Sequence, residues 1–414
     1  MKLPSGIRLK LYPDHSLSEP RIRACESPRR VILPFLGNSN VSVGDSVLRG
    51  QKIADDIAPV YATTSGTVTA IELRPHPEFG LSSAIEIESD GKDSVIPEIG
   101  KERLDFEIEV LSGAEIRDIG KEAGILSNRA NDNPMQKIII NGAECEPYLT
   151  GDYLLMLSKP VEILRGIEFL MRAAGTEEAI VAISENKREC YEMFASKIFT
   201  LKIPKIRLFW MKDSYPQGLD VQLLPRILGK QIPQGCRPEN LGVSIFDVSQ
   251  AFAMFEAVKL SKLYLERVIT VAGACIMQPQ NVWVRIGTPI QSVIEQCGGF
   301  LRFPSSVIVG GPMKGIAQDS LDVPVIHSTT GILAFPKEEV FLEEAEPCIR
   351  CGDCIPVCPV SLNPVAIVEA SMESDWKRAA KYHPEVCVEC GNCTYVCPSK
   401  IPMMDLIQIA KDSQ

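Results

Sequence analysis

Eight of the chain's 14 cysteines lie between Cys348 and Cys397. They form two runs of one spacing, Cys348-x-x-Cys351-x-x-Cys354-x-x-x-Cys358-Pro359 and Cys387-x-x-Cys390-x-x-Cys393-x-x-x-Cys397-Pro398. Three thiolates three residues apart on a tight loop reach three corners of one cuboidal iron–sulfur cluster, while the fourth, on the helix that leaves the loop, points to the other cluster. The spacing therefore predicts two [4Fe–4S] clusters. Cys348, Cys351, Cys354 and Cys397 would hold the first, and Cys387, Cys390, Cys393 and Cys358 the second. Gly352 and Gly391 allow the backbone to turn close to the sulfides, and Pro359 and Pro398 bend the chain after each run. Four cysteines also suit tetrahedral zinc, but structural zinc uses two CxxC pairs, and the doubled run would leave ligands over. Two adjacent clusters make an electron relay. The six scattered cysteines, Cys25, Cys145, Cys190, Cys236, Cys275 and Cys297, read as small buried hydrophobes.

The chain that must carry this relay has 414 residues, of which 45% are hydrophobic and 23% charged. That length and composition suit two to four globular domains. A net charge of -10 excludes a nucleic-acid binder, whose footprint is basic, and a chain held to anionic lipid by its own charges. No apolar run approaches the roughly 20 residues that span a bilayer, and residues 1–8 lack the apolar core of a secretory leader. Clustered thiols in such a chain point to metal ligands in a reducing cytoplasm.

Four textures follow one another. Residues 1–105 read as β, with period-two alternation in Val41-Ser42-Val43-Gly44-Asp45-Ser46-Val47 and in Ser65-Gly66-Thr67-Val68-Thr69-Ala70-Ile71. They look like the barrel-sandwich hybrid of biotinyl and lipoyl carriers. Those carriers present a modified lysine at a hairpin tip, and residues 54–60 have no lysine, so the reading is a structural sandwich. Residues 106–260 alternate strand-like runs (137–140, 179–183) with helical spacing (161–174, with Gly175 as a stop), the pattern of a largely parallel sheet with helical crossovers. Residues 261–338 return to β, and residues 339–414 are cysteine-dense, with a helix expected around 364–381. Gly310-Gly311-Pro312-Met313-Lys314-Gly315 follows a strand and lacks the Gly-Lys-Ser/Thr ending of a phosphate loop, so it reads as a turn. His15, His76, His327 and His383 are dispersed and read as packing or surface residues.

Beyond the doubled cysteine motif, the chain carries Asn141-Gly142-Ala143-Glu144-Cys145-Glu146-Pro147-Tyr148-Leu149-Thr150, Tyr215-Pro216-Gln217-Gly218 and Asn281-Val282-Trp283-Val284-Arg285-Ile286-Gly287-Thr288-Pro289. With residues 65–71 and 310–315, these strings resemble, over nearly the whole length, the C subunit of the Rnf complex, the ion-translocating ferredoxin:NAD⁺ oxidoreductase. The resemblance implies a multidomain α+β and α/β architecture. In order, it expects a barrel-sandwich hybrid (1–105), a complex-I-flavoprotein-like α/β domain (106–260), a β-grasp domain (261–338) and a double-cluster ferredoxin-type domain (339–414). It implies membrane and soluble partner subunits, exchange with NAD(H), and a peripheral place on the cytoplasmic side of the bacterial inner membrane.

The resemblance also implies FMN in the second domain, with Asn141 and Glu144 lining the flavin pocket and Glu146 on the nucleotide side. The chain departs from the family there twice. Where the family has a glycine-rich FMN loop, residues 126–134 contain no glycine, and side chains would obstruct a close approach. Where the family reads Asn-Val, this chain has Asp247-Val248, a carboxylate that would repel the flavin phosphate. Both departures predict weakened FMN binding. They leave a second reading open, a flavin-free conduit or docking module for another oxidoreductase, and a third, a cobalamin-reductase-type protein that shares domains. For Glu144 and Glu146 the alternative role is to cap helices.

Overall fold

The computed structural model describes residues 7, 9, 21–127, 136–203, 205–230, 232–233, 236–340 and 344–413. Residues 128–134, most of the glycine-free stretch, and residues 1–6 and 8 of the chain start lie outside them. After β1 (Ile22–Ala24), seven strands build a two-sheet sandwich: β2 (Arg30–Pro34), β3 (Asn38–Ser39), β4 (Ser46–Val47), β5 (Lys52–Asp55), β6 (Val60–Tyr61), β7 (Gly66–Pro75) and β8 (Leu81–Ser89). One sheet runs β2-β8-β7-β4 and the other β3-β5-β6. Alternation along β8 sends Ile85 and Ile87 inward, both fully buried.

Helices α1 (Asp105–Val110) and α2 (Gly113–Glu122) lead into the α/β region. Its strands are β9 (Lys137–Gly142), β10 (Ala179–Ser184), β11 (Ile206–Met211) and β12 (Val243–Asp247), all parallel, in the order β11-β10-β9-β12. The crossovers are α3 (Gly151–Ser158), α4 (Pro160–Ala174), α5 (Arg188–Leu201) and α6 (Asp220–Leu228), and α7 (Val248–Leu260) follows β12. The sequence's apolar spacing over 161–174 is α4, and Gly175 ends it in the left-handed conformation (φ 68°) that glycine adopts without strain. Because the chain builds outward from β9 to β11 and then places β12 on the other flank, β9 and β12 flank a topological switch point. In open α/β sheets ligands bind in the crevice at the carboxyl ends of such strands.

The third region contributes β13 (Glu266–Ala272), β14 (Gln280–Arg285), α8 (Ile290–Gln296), β15 (Ser306–Val309), β16 (Ile316–Ala317) and β17 (Gly331–Phe335). Its six-stranded sheet is completed by β1, which pairs in parallel with β14 through Ile22 and Asn281. Residues 1–105 thus do not close on themselves. Val31, Ile85 and Ile87 of the sandwich also share one apolar core with Ile269, Val284 and Ile332. The last region is four short helices, α9 (Pro364–Met372), α10 (Trp376–Ala380), α11 (Asn392–Val396) and α12 (Met403–Asp412), wrapped around two cysteine loops.

Helices α4 and α7 cross closely at Gly166, where an added Cβ would stand 1.8 Å from the Ala251 carbonyl oxygen. Helix propensity alone favours Gly166→Ala by roughly 0.5–1 kcal/mol, whereas overpacking costs about 1–3 kcal/mol. A clash with backbone places this site at the upper end, so Gly166→Ala should lower stability by about 2–3 kcal/mol in denaturant unfolding. A stabilised variant would show that the helices do not meet here.

Candidate functional site

The two cysteine loops repeat in backbone as well as in sequence. Arg350 and Glu389 (φ 56° and 52°), Gly352 and Gly391 (81° and 74°), and Ser361 and Lys400 (59° and 54°) are all left-handed at equivalent positions. Such turns aim backbone N–H groups at the sulfurs. Arg350 N donates to Cys348 Sγ at 3.4 Å, Glu389 N to Cys387 Sγ at 3.4 Å and Leu362 N to Cys358 Sγ at 3.3 Å. Cys358 of the first run joins Cys387, Cys390 and Cys393 of the second around one small cavity of about 20 Å³. The thiols of Cys351 and Cys397 in turn act electrostatically on Cys354. Among the described residues no three such side chains close onto a single-ion position. Burial first, and then neighbouring thiols, push Cys390 up to about 11 and Cys393 up to about 12, so ligation there must release protons.

A second cavity, of about 270 Å³, opens at the carboxyl ends of β9 and β12. Asn141, Glu144, Glu146 and Asp247 all line it, Asn141 and Asp247 being direct register partners. Each of the four is engaged by the protein. Asn141 donates from Nδ2 to the Gly218 carbonyl at 2.8 Å and accepts from Ala143 N at 3.2 Å.

Glu144 lies in the left-handed region (φ 38°), strain of about 1–3 kcal/mol for a residue with a Cβ. That turn brings its carboxylate to the start of α3, where it accepts from Asp152 N at 2.8 Å and Tyr153 N at 3.1 Å. Burial raises its pKa, and Lys187, 3.8 Å away, opposes the rise. Glu146 accepts from Met313 N at 2.9 Å and Lys314 N at 3.1 Å and so pins the 310–315 turn. Gly311 is required there, since a Cβ would meet the Glu146 carboxylate at 2.4 Å.

Asp247 is the N-cap of α7 in a reciprocal box. Its carboxylate accepts from Gln250 N at 2.6 Å, and its own N–H donates to Gln250 Oε1 at 3.0 Å. Helix capping, the alternative weighed for Glu144, is what its side chain does. The charge assigned to Asp247 as a repelling one is partly met by α7's N-terminus and by Arg267, 3.9 Å away.

Sequence reasoning did not single out Asp152, Lys187 and Arg267, the first half-buried and the other two buried beside these four. Arg267 had a readable signal, a cation opening the apolar run Val268-Ile269-Thr270-Val271. Tyr215 also lines the cavity. Its hydroxyl is buried without a hydrogen-bond partner and feels Glu146, Cys390 and Cys145, so the cavity wall adjoins the second thiol set. Gln222 of α6 donates to the Pro359 carbonyl at 2.9 Å and fastens the α/β region to that set.

Burial pushes Glu146 up to about 7, against the pull of its two backbone N–H donors and of Lys314. A raised carboxyl binds its proton more tightly in the folded than in the unfolded chain, so its contribution falls as pH rises from about 4.5 to about 7. Glu146→Gln should flatten that fall in denaturant melts taken across this window. Parallel pH profiles for the two proteins would show that Glu146 is ionised throughout.

Family models match in the same order as the structural regions. An RnfC barrel sandwich hybrid domain covers residues 1–92, a Nuo51 FMN-binding domain 114–256, an SLBB domain 268–317 and a 4Fe-4S dicluster domain 347–401. The chain is 33% identical over 389 residues to the C subunit of the Na(+)-translocating ferredoxin:NAD(+) oxidoreductase complex of Acetobacterium woodii, covering 89% of this chain and 87% of that protein. It is 36% identical over 379 residues to the proton-translocating counterpart of Clostridium ljungdahlii, covering 86% and 82%. The C subunit of the ion-translocating oxidoreductase complex of Cronobacter sakazakii is 34% identical over 382 residues, which are 87% of this chain and 49% of that one. A solved NAD+-reducing [NiFe]-hydrogenase in the H2-reduced state shares the fold, with a TM-score of 0.50 at 16% identity over 74% of this chain and 64% of that structure's chain. The doubled thiol loops, the cavity at the β9/β12 switch point and these likenesses over most of the chain lead to one conclusion: the chain belongs to the family of Rnf complex C subunits.

Proposed function

We propose that this chain is the peripheral electron-transfer subunit of an Rnf-type ion-translocating complex, relaying electrons between ferredoxin and NAD(H) couples through two [4Fe–4S] clusters. The observation that carries the reading is the exchange of thiols between two equivalent loops, one of which adjoins the cavity of the FMN-binding-type region. Among the described residues no helix is long and apolar enough to cross a membrane, which fits a peripheral place among membrane and soluble partner subunits. We place the chain on the cytoplasmic face of the inner membrane. The domain limits near 105, 260 and 338 belong to the same proposal, although β1 crosses the first of them.

The residues present fit the clusters. The donors are soft thiols, the loops aim N–H groups at sulfur, and the cavity among Cys358, Cys387, Cys390 and Cys393 is walled by Leu362, Pro364 and Ile407, a low-dielectric shell that tunes potential. Cys348, Cys351, Cys354 and Cys397 would hold the first cluster. Cys348 and Cys351 are exposed, which suits the outer end of a relay that meets a partner. Unsatisfied donors in the larger cavity, on Tyr215 and Arg267, suit a polar aromatic ligand such as FMN beside the second cluster. When bound, such groups supply the exchange between two-electron hydride and one-electron chemistry. Asn141, Glu144, Glu146 and Asp247 then shape the pocket, while Tyr215 separates it from the Cys390 loop.

A flavin-free conduit is the second reading. It is favoured by the engagement of those same four polar side chains with protein groups.

Anaerobically reconstituted protein should carry about eight irons per chain; stoichiometric zinc in their place would end the proposal. Cys358→Ala and Cys390→Ala should abolish the same electron paramagnetic resonance signal, and Cys351→Ala the other. Loss of one signal by both Cys358→Ala and Cys351→Ala would show that each run holds its own cluster. Salt or alkaline washing should release the chain from membranes that contain the complex, and retention after both would point to an anchor.

A further inference from the structure

Arg267 is the largest fully buried side chain among the described residues, 2% exposed, at the start of β13. Its Nε and Nη1 have no hydrogen-bond partner. An ionised guanidinium left this way is strongly disfavoured unless something pairs with it. The charges around it are accounted for. Asp247 approaches only Nη2, at 3.9 Å, and its carboxylate already caps α7. Asp152 has its pKa raised, chiefly by burial and then by Glu144 and Asp247, and Glu144 is committed to α3 and Lys187. His327, also close, is held toward its neutral form by burial and bonds through Nε2 with the Tyr264 carbonyl at 2.9 Å. Two N–H donors of a buried cation thus remain in the wall of a cavity at the carboxyl ends of β9 and β12.

We infer that Arg267 is the anion anchor of this cavity and holds the phosphate of a phosphate-bearing ligand, here the flavin mononucleotide. The inference rests on reading the cavity as a flavin site and says how this chain meets a phosphate when residues 126–134 offer no glycine. A fixed, always-charged guanidinium replaces an array of backbone N–H groups. Asp247 opposes it from the Nη2 side, so the site is weakened rather than lost. The same chemistry could meet the pyrophosphate of a nicotinamide dinucleotide.

The test is titration of full-length, cluster-loaded protein with FMN, with riboflavin, which lacks the phosphate, and with NADH. FMN should bind about 10- to 100-fold more tightly than riboflavin, the span of one charge-assisted hydrogen-bond set. Arg267→Gln should remove that preference and leave riboflavin affinity in place. Asp247→Asn keeps a good helix cap, so it should widen the preference for FMN over riboflavin severalfold, and it serves if Arg267→Gln fails to fold. Equal binding of FMN and riboflavin by the unaltered protein would overturn the anchor and leave the flavin site standing. An FMN preference that survives Arg267→Gln would overturn it too, as would a loss confined to NADH. Failure of both flavins to bind at millimolar concentration would overturn the flavin reading along with the anchor.

Discussion

Backbone N–H groups at buried helix starts and turns must find acceptors, and here carboxylates fill that need around the end of β9. Glu144 takes two from α3, Glu146 two from the 310–315 turn and Asp247 one from α7. The start of α3 and the 310–315 turn of the β-grasp region are thereby tied to one short stretch of chain after β9, while Asp247 at the neighbouring end of β12 holds the start of α7. Such carboxylates could not be buried alone. Lys187 and Arg267 offset them, and Lys187 also donates to the carbonyls of Ala143 and Glu144 at 3.0 and 2.9 Å. The polar character of the cavity is therefore what holds its walls in place, as well as a surface for a ligand.

The ferredoxin-type region depends on the rest in another way. Its apolar cluster is small and counts Cys354, Cys358, Cys393 and Cys397 among its own members. A unit of about 70 residues of this kind needs a staple beyond its hydrophobic core. Cluster ligation supplies one, and docking supplies more: Gln222 reaches Pro359, and Gly391 lies against the Met313 backbone with no room to spare for a side chain. The turn that Glu146 pins therefore touches both the cavity and the second cysteine loop.

Much of this was legible in residue spacing. The cysteine runs announce their pairing because the ligand geometry leaves few alternatives, and α4 with its glycine stop follows from apolar period and turn chemistry. The order of the regions could be read because each has its own periodicity. The place of β1 could not, since a three-residue strand carries no period and its partner lies across the whole chain. Asn141, Glu144, Glu146 and Asp247 were recognisable as a group, but their hydrogen-bonding duties were not, because which N–H a carboxylate meets is decided by tertiary packing. Asp152 and Lys187 left no pattern at all. Arg267 left one, a charge at the head of a buried strand.

The pairing of β1 with β14 joins residues about 260 positions apart, and the sandwich shares its core with the same late sheet. On a ribosome adding roughly 5–20 residues per second, the first region emerges some 13–50 s before the strands that complete it. For that interval Val31, Ile85 and Ile87 lack part of their cover, and the sheet edge meant for β1 does not yet exist. The N-terminal region is thus among the first made and among the last finished. The cysteine loops, at residues 348–397, are made later still, so metal can enter them only once the strands that complete the N-terminal region are already present.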